Sequence, residues 1–481
     1  MKELSATFTV YQKNLSQNIA YALPTFSLFF LIAPLNVMPG VYVKYFGLSL
    51  GAIALAQLLA PLFDGLTDPL VGYFSDRYRQ RFGTRKPLIV AGGLLVLVSS
   101  TMLYIPYGWE SQQSGPVSFS YLLFFYLAFT LSWTLMGIPH LAWGGEISSD
   151  NKGRSQRFSY RAVAVKLAML LFFIIPLLPF FSSTEVTPET LRFCVYVSWL
   201  VMPLCLWICM RWVPNSQAGV GHAIERKEKQ HQYLAEKTQS RKERFKQVAK
   251  LIAGNRLLLI FYAAYGLVGL GYSMSNGLTF FFVDNYLGLA DKLPYAFIAN
   301  YGVGVPAAWC WGIIAQKMGA RATWAIGMTI CVTGLLGIGF TPPGEAGLWP
   351  YLVCKILIGA GYASTFVAAY MVLASIADYG KWKFDQDCSG TYFALSKTLF
   401  KFNTSVGIAG GLLLAQWLGF DPAVESMSDA ARMALRLAYI GLPAVLFIVA
   451  IIVITRIPIR THQQSVISKR LEANALSLSI D

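Results

Sequence analysis

The sequence predicts an all-α polytopic membrane protein with twelve transmembrane helices in two six-helix halves. Three observations predict it: an apolar composition, twelve long apolar runs, and a loop pattern that repeats between the halves. Of 481 residues, 55% are hydrophobic and 13% charged, and the mean hydropathy is +0.51. That balance describes a chain dissolved in lipid and excludes an ordinary soluble domain. The apolar runs lie at about 18–43, 50–74, 88–108, 118–146, 160–182, 191–212, 256–284, 293–316, 321–341, 347–378, 389–418 and 434–456. Each reaches the roughly 17–25 residues needed to cross a bilayer, and the longer ones imply tilt or protrusion. The first run has no small-residue cleavage site, so it reads as span one and not as a signal peptide.

Orientation follows from the basic residues. With both termini inside, 30 of the 39 Lys and Arg fall in cytoplasmic segments and 5 outside, with Lys166, Lys355, Lys397 and Lys401 within spans. The net charge of +15 is therefore a topogenic signal whose partners are anionic headgroups, and nucleic acid is not expected. The seven cysteines (Cys194, Cys205, Cys209, Cys310, Cys331, Cys354, Cys388) mostly lie in spans and have no metal-ligand spacing, which makes them small packing residues.

Span two carries the chemistry. In Leu62-Phe-Asp64-Gly-Leu-Thr67-Asp68-Pro69, two carboxylates end an otherwise apolar stretch. A carboxylate at mid-bilayer costs roughly 2.5–3.5 kcal/mol even on insertion scales, so such a residue faces a polar cavity with a partner. Asp64 and Asp68 are four apart and share one helix face. Two oxygen ligands with Thr67 beside them suit Na⁺ or a shared proton. A helix-packing ion pair is the plainer reading.

After span two the sequence reads Gly72-Tyr-Phe-Ser-Asp76-Arg77, then Arg81, Gly83, Arg85 and Lys86. After span eight it reads Gly312-Ile-Ile-Ala-Gln316-Lys317-Met-Gly319-Ala-Arg321. Both are expected as loops, and their recurrence marks paired halves. The domains are thus 1–212, a cytoplasmic connector at 213–255, 256–456, and a cytoplasmic tail at 457–481. Within the connector, Phe245, Val248, Leu251 and Ile252 have the spacing of an interfacial amphipathic helix, with a solvated linker as the alternative.

The Gly-Asp-Arg motif between spans two and three resembles the signature of the major facilitator superfamily, whose fold has two six-helix halves with a mid-membrane site between them. Within it, Asp64-Gly-Leu-Thr-Asp68-Pro-Leu-Val-Gly72 is similar to the span-two motif of the glycoside-pentoside-hexuronide:cation symporters. Ile138-Pro139-His140-Leu141-Ala142-Trp143-Gly144-Gly145-Glu146 continues the resemblance in span four. Ala377-Asp378-Tyr379-Gly380-Lys381 and Gly390-Thr-Tyr392 continue it near span eleven. The resemblance covers nearly the whole chain. It implies that Asp64, Thr67, Asp68 and Thr134 bind the coupling cation, with Asp64 and Asp68 as ligands if that cation is Na⁺. It makes Lys401 the intramembrane lysine that couples to them, and Arg161 a cavity arginine. Asp76, Arg77, Glu146, Arg154 and Asp378 become a cytoplasmic charge gate that opens as the halves rock.

The substrate anchors depart from the family's sugar-transporting members. Their span-one and span-four acids fall on Thr25 and Gly137 here, and the stacking aromatic falls on Leu141. What remains around the expected cavity is aromatic and cationic: Trp133, His140, Trp143, Tyr265, Tyr272, Asn276, Tyr362, Tyr392, Lys397 and Lys401. Thr25, Gly137, His140, Trp143, Arg161, Tyr392 and Lys397 are the candidate substrate contacts. His140 is also a candidate proton carrier, although a His beside Pro is more often structural. The expected function is Na⁺- or H⁺-coupled symport of a small, glycoside-type solute by alternating access. The alternatives are a cation-coupled carrier of an amphiphile such as a lysophospholipid, and a non-transporting sensor on a transporter fold. No nucleophile–base set or phosphate-cradling loop points to an enzyme. No cofactor beyond the coupling ion is expected. A monomer in a bacterial inner membrane, with both termini cytoplasmic, completes the expectation.

Overall fold

The computed structural model describes residues 2–106, 117–147, 151–215, 254–384, 389–422, 424 and 427–458. The side chains of 2–14, 145–146, 151–156, 158, 381, 384, 389–391 and 394 lie outside that description. The described chain holds twelve helical segments long and apolar enough to cross a membrane. They are Leu15–Asn36, Leu50–Phe82, Lys86–Tyr104, Phe119–Gly144, Ser159–Leu177, Pro188–Trp212, Arg256–Tyr286, Ala290–Met318, Ala320–Ile338, Glu345–Gly380, Leu395–Trp417 and Asp429–Thr455, here spans 1 to 12. The chain divides into two compact units, Met1–Thr238 and Gln239–Asp481, and each holds six spans. Helices satisfy every interior backbone group locally, which the absence of water in lipid demands. Exposed Leu200 and Trp207 on span 6, and Trp309 on span 8, give the apolar surface that lipid requires. The amphipathic helix expected near Phe245 lies outside the described residues, as does Cys388. Cys194, Cys205, Cys209, Cys331 and Cys354 are buried packing residues, whereas Cys310 is exposed.

Several expected boundaries are corrected. Residues 72–82, read as loop, continue span 2 as one helix to Phe82. Arg79 and Arg81 stand in its last turn, where cations complement the carbonyl end of the helix dipole. Gly83 then closes it at φ 73°, its N–H bonding the Arg79 carbonyl at 2.7 Å; a left-handed residue there favours glycine. Residues 152–161 are likewise helical, in Asn151–Ile174, and Gly312–Met318 belongs to span 8. Span 1 is shorter than expected. It stops at Asn36, and a separate buried helix, Met38–Lys44, follows around Pro34 and Pro39. Lys44 pairs with Glu185 at 2.6 Å and joins that helix to the segment before span 6.

Spans 3 and 4 pack through Gly92. A Cβ there would lie 2.5 Å from the Met136 amide nitrogen and 2.8 Å from the Leu135 carbonyl carbon. Small residues at membrane helix crossings allow this approach. The second unit interrupts three spans with π-helical turns, Phe282–Tyr286, Thr365–Ala369 and Leu437–Gly441. Such turns widen the helix by one residue and cluster at functional sites.

Candidate functional site

In the first unit, spans 2 and 4 form a polar seam. The Thr134 hydroxyl donates to Asp68 Oδ1 at 2.9 Å, with Thr134 buried and Asp68 half-buried. Asp64 stands one turn before Asp68, also half-buried, and its Oδ1 is shielded from solvent. Two turns before Asp64, buried Gln57 accepts a 2.9 Å hydrogen bond from the Tyr126 hydroxyl of span 4. Gln57, Asp64 and Asp68 recur at helical spacing, so the seam runs along one face of span 2.

Thr67 donates to the Phe63 carbonyl at 3.0 Å, which leaves its lone pairs available. Pro69 lies inside the same helix and has no N–H, so the Gly65 carbonyl cannot receive its usual helical amide. That carbonyl, between the two aspartates, is an oxygen that reading side chains alone overlooks. The signal for it was Pro69 itself. Carboxylate, hydroxyl and carbonyl oxygens make a hard-cation donor set.

Spans 1 and 4 form a second cluster, closed rather than open. His140 is buried. Its Nε2 lies 3.0 Å from the Tyr21 carbonyl, to which it must be the donor, and its Nδ1 lies 3.4 Å from Thr25 Oγ1. The Tyr21 hydroxyl returns a bond to the His140 carbonyl at 2.9 Å, and the two rings stack at 4.3 Å. Trp143 is 2% exposed, with Tyr21 against its edge and the Lys86 ammonium 5.3 Å from its ring. The structure thus brings Thr25, His140 and Trp143 together, but as a satisfied helix–helix contact. Buried Arg157 joins it through Gly144 O at 3.4 Å and the Tyr21 ring at 5.9 Å. Arg161, one turn on, is half-buried with its Nε shielded. Gly137 has room: a Cβ would touch only the Trp133 indole, at 3.5 Å.

In the Gly72–Lys86 motif the charge cluster expected around Asp76 and Arg77 is built on Arg85. Asp76 pairs with Arg85 at 2.5 Å, and Arg85 also donates to Ser75 at 2.6 Å. Arg77 turns instead to the Tyr73 hydroxyl at 3.1 Å. The Gly83 turn folds the chain back and brings position 85 to 76, a relation that adjacency in sequence hides. The side chains of Glu146 and Arg154 lie outside the described residues. Asp378 is half-buried near the end of span 10.

In the second unit, Tyr392 is 2% exposed. Its hydroxyl accepts from Asn255 Nδ2 at 3.4 Å and its carbonyl from the Tyr262 hydroxyl at 2.8 Å. It ties helices together and is not open to a ligand. Lys397 is exposed and Lys401 half-buried, four residues apart on one face of span 11. Tyr272 and Tyr362 stack in parallel at 3.6 Å. Lys355, noted in sequence only as an intramembrane lysine, is 1% exposed and donates to Thr279 Oγ1 at 3.2 Å.

Residues 17–461 match the sequence model of the family described as MFS/sugar transport protein. The chain is 23% identical over 449 residues to "Uncharacterized symporter YnaJ" of Bacillus subtilis (strain 168), covering 90% of this chain and 87% of that one. It is 22% identical over 443 residues to "Inner membrane symporter YicJ" of Escherichia coli (strain K12), covering 89% and 88%. It is 24% identical over 394 residues to "Lactose permease" of Lactobacillus delbrueckii subsp. bulgaricus, covering 80% of this chain and 60% of that one. Among solved structures, it superposes on a bacterial homolog of the human lysosomal transporter Spinster in an inward-facing state, with a TM-score of 0.63 and 13% identity. That match covers 94% of this chain and 98% of the other. The nucleoside transporter NupG follows at a TM-score of 0.60 and 13% identity, covering 92% and 99%.

Proposed function

We propose, from the premise that this chain belongs to the MFS/sugar transport protein family and is an integral-membrane secondary transporter, that it couples Na⁺ or H⁺ to the symport of a small glycoside-type solute. The observation that carries the coupling is the intramembrane pair Asp64 and Asp68, with the Thr134 hydroxyl 2.9 Å from Asp68. A cation entering this seam is held by carboxylate oxygens and displaces none of the packing that holds span 2 to span 4. Lys401 is the coupling residue, and alternating access carries the loaded site across the bilayer. The chain works as a monomer in a bacterial inner membrane with both termini cytoplasmic. Family membership and the symporters among its relatives support a sugar-like solute. Thr25 and Gly137, where an acid would anchor a sugar, favour a second reading in which the cargo is an amphiphile such as a lysophospholipid.

The test is thermal stability of the purified protein against Na⁺ at fixed ionic strength, wild type beside Asp64→Asn/Asp68→Asn. A ligand bound only by the folded state raises stability with its concentration. Na⁺-specific stabilisation that the double variant loses supports the coupling site. Stabilisation retained by the double variant removes it. With Na⁺ present, free glycosides and lysolipids are then compared as further stabilisers.

A further inference from the structure

The polar seam between spans 2 and 4 continues past the two aspartates. Span 4 sets three buried hydroxyls four residues apart along it, on Tyr126, Thr130 and Thr134, and residues at that spacing share one helix face. Span 2 faces them with Gln57, Asp64 and Asp68. At one end of the row the Thr134 hydroxyl is on Asp68. In the middle, the Thr130 hydroxyl donates to the Tyr126 carbonyl at 2.9 Å. At the other end Tyr126 meets Gln57, and the direction of that bond is what matters.

Tyr126 is the donor and Gln57 Oε1 the acceptor, at 2.9 Å. A phenol has a single proton and can also accept. With that proton spent on Gln57, Tyr126 offers the seam acceptor capacity alone. The Asp64 carboxylate, one turn nearer to Gln57 than Asp68, lies within electrostatic range of the phenol. A hydrogen bond to a carboxylate is stronger than one to a neutral amide, so Asp64 would otherwise draw the phenol proton, and Gln57 keeps it away. Gln57 is 2% exposed and Tyr126 6%, and Ile53, Ala56 and Ala60 on the neighbouring turns of span 2 are buried as well. Bulk water therefore does not compete for the phenol at this end of the seam.

We propose that Tyr126 belongs to the cation site as a further acceptor oxygen and that Gln57 is the residue that positions it. The inference rests on the reading of Asp64 and Asp68 as the coupling pair. A hard cation gathers several oxygens, and those the carboxylates and hydroxyls do not supply come from water. A water on a cation is a strong donor that needs an acceptor, and the phenolic oxygen beside Asp64 is one. Protonation of a carboxylate brings no such water, so Tyr126 favours Na⁺ over H⁺ at this pair.

The experiment is a Na⁺ titration of the unfolding temperature of the purified full chain, with choline keeping the ionic strength constant. Tyr126→Phe, which removes one oxygen and keeps the ring, is expected to raise the half-saturating Na⁺ about tenfold, as loss of an outer partner of a metal site does. Gln57→Leu frees the phenol proton to turn toward Asp64 and raises it likewise. The double variant is expected to be no worse than Tyr126→Phe alone, because without the hydroxyl Gln57 has nothing to position. Helix glue alone predicts lower unfolding temperatures without Na⁺ and an unmoved half-saturating concentration, and that result overturns the proposal. Effects that simply add in the double variant overturn the positioning role of Gln57. Should Gln57→Leu not fold, the Tyr126→Phe titration decides. Na⁺ stabilisation that Asp64→Asn/Asp68→Asn loses but Tyr126→Phe leaves unchanged defeats this inference and keeps the coupling pair. A wild type without Na⁺ stabilisation defeats both.

Discussion

Replacing Thr134 by valine removes one hydroxyl and almost no volume, which isolates the 2.9 Å bond to Asp68 Oδ1. Thr134 is 4% exposed, so no water replaces its hydroxyl without a cavity opening. A hydrogen bond to a charged acceptor contributes about 1.5–3 kcal/mol. Asp68 is only half-buried, and solvent at the carboxylate places the loss at the lower end, about 1.5 kcal/mol. That corresponds to about a tenfold weaker cation affinity, matching the roughly 10–100-fold cost of deleting a group that orients a metal-binding carboxylate. The assay is a Na⁺ titration of thermal stability in detergent, paired with Na⁺-driven uptake in proteoliposomes. The half-saturating Na⁺ is expected to rise about tenfold, with the maximal uptake rate retained at saturating Na⁺. Thr134→Ser, which restores a hydroxyl, recovers most of the affinity. An unchanged Na⁺ titration in a folded Thr134→Val protein would refute the assignment, because the hydroxyl would then be helix glue alone.

Three further outcomes are expected. Gly92→Ala places a methyl 2.5 Å from the Met136 amide nitrogen; the backbone cannot swing aside, so the variant loses about 1–3 kcal/mol and melts at a lower temperature. An unaltered melting temperature would show that spans 3 and 4 separate freely. His140→Gln keeps a donor for the Tyr21 carbonyl, so uptake and its pH profile stay as in the wild type. A displaced profile would instead make His140 a proton carrier. Lys401→Ala shifts the cation concentration for half-maximal uptake, and an unmoved titration takes the coupling role from that lysine.

Hydropathy and charge, read along the chain, account for the twelve spans and the two units, because crossing a bilayer is a demand on about 20 successive residues. The same local logic exposes Asp64 and Asp68: two carboxylates in an apolar run are visible without knowing any neighbour. Where the argument needed a partner from another helix, it fared less evenly. Thr134, which the family resemblance groups with Asp68 at the cation site, donates to Asp68 Oδ1 at 2.9 Å. Asp76 was grouped with Arg77 in one charge cluster, and its ion pair is with Arg85. His140, Trp143 and Tyr392 looked like pocket residues and are packed. Polar residue types in a span look alike in sequence whether they face a cavity or another helix.

Continuous local properties therefore reveal how many times this chain crosses the membrane and which helix face bears the carboxylates. The pairing of Gln57 with Tyr126 and the closure of His140 against Tyr21 depend on how two helices cross and in what register. Those quantities arise from side-chain volumes at distant positions, Gly92 against Met136 and Gly359 against Asn300 among them. No periodicity along one helix encodes them, since a glycine permits an approach without naming what will approach.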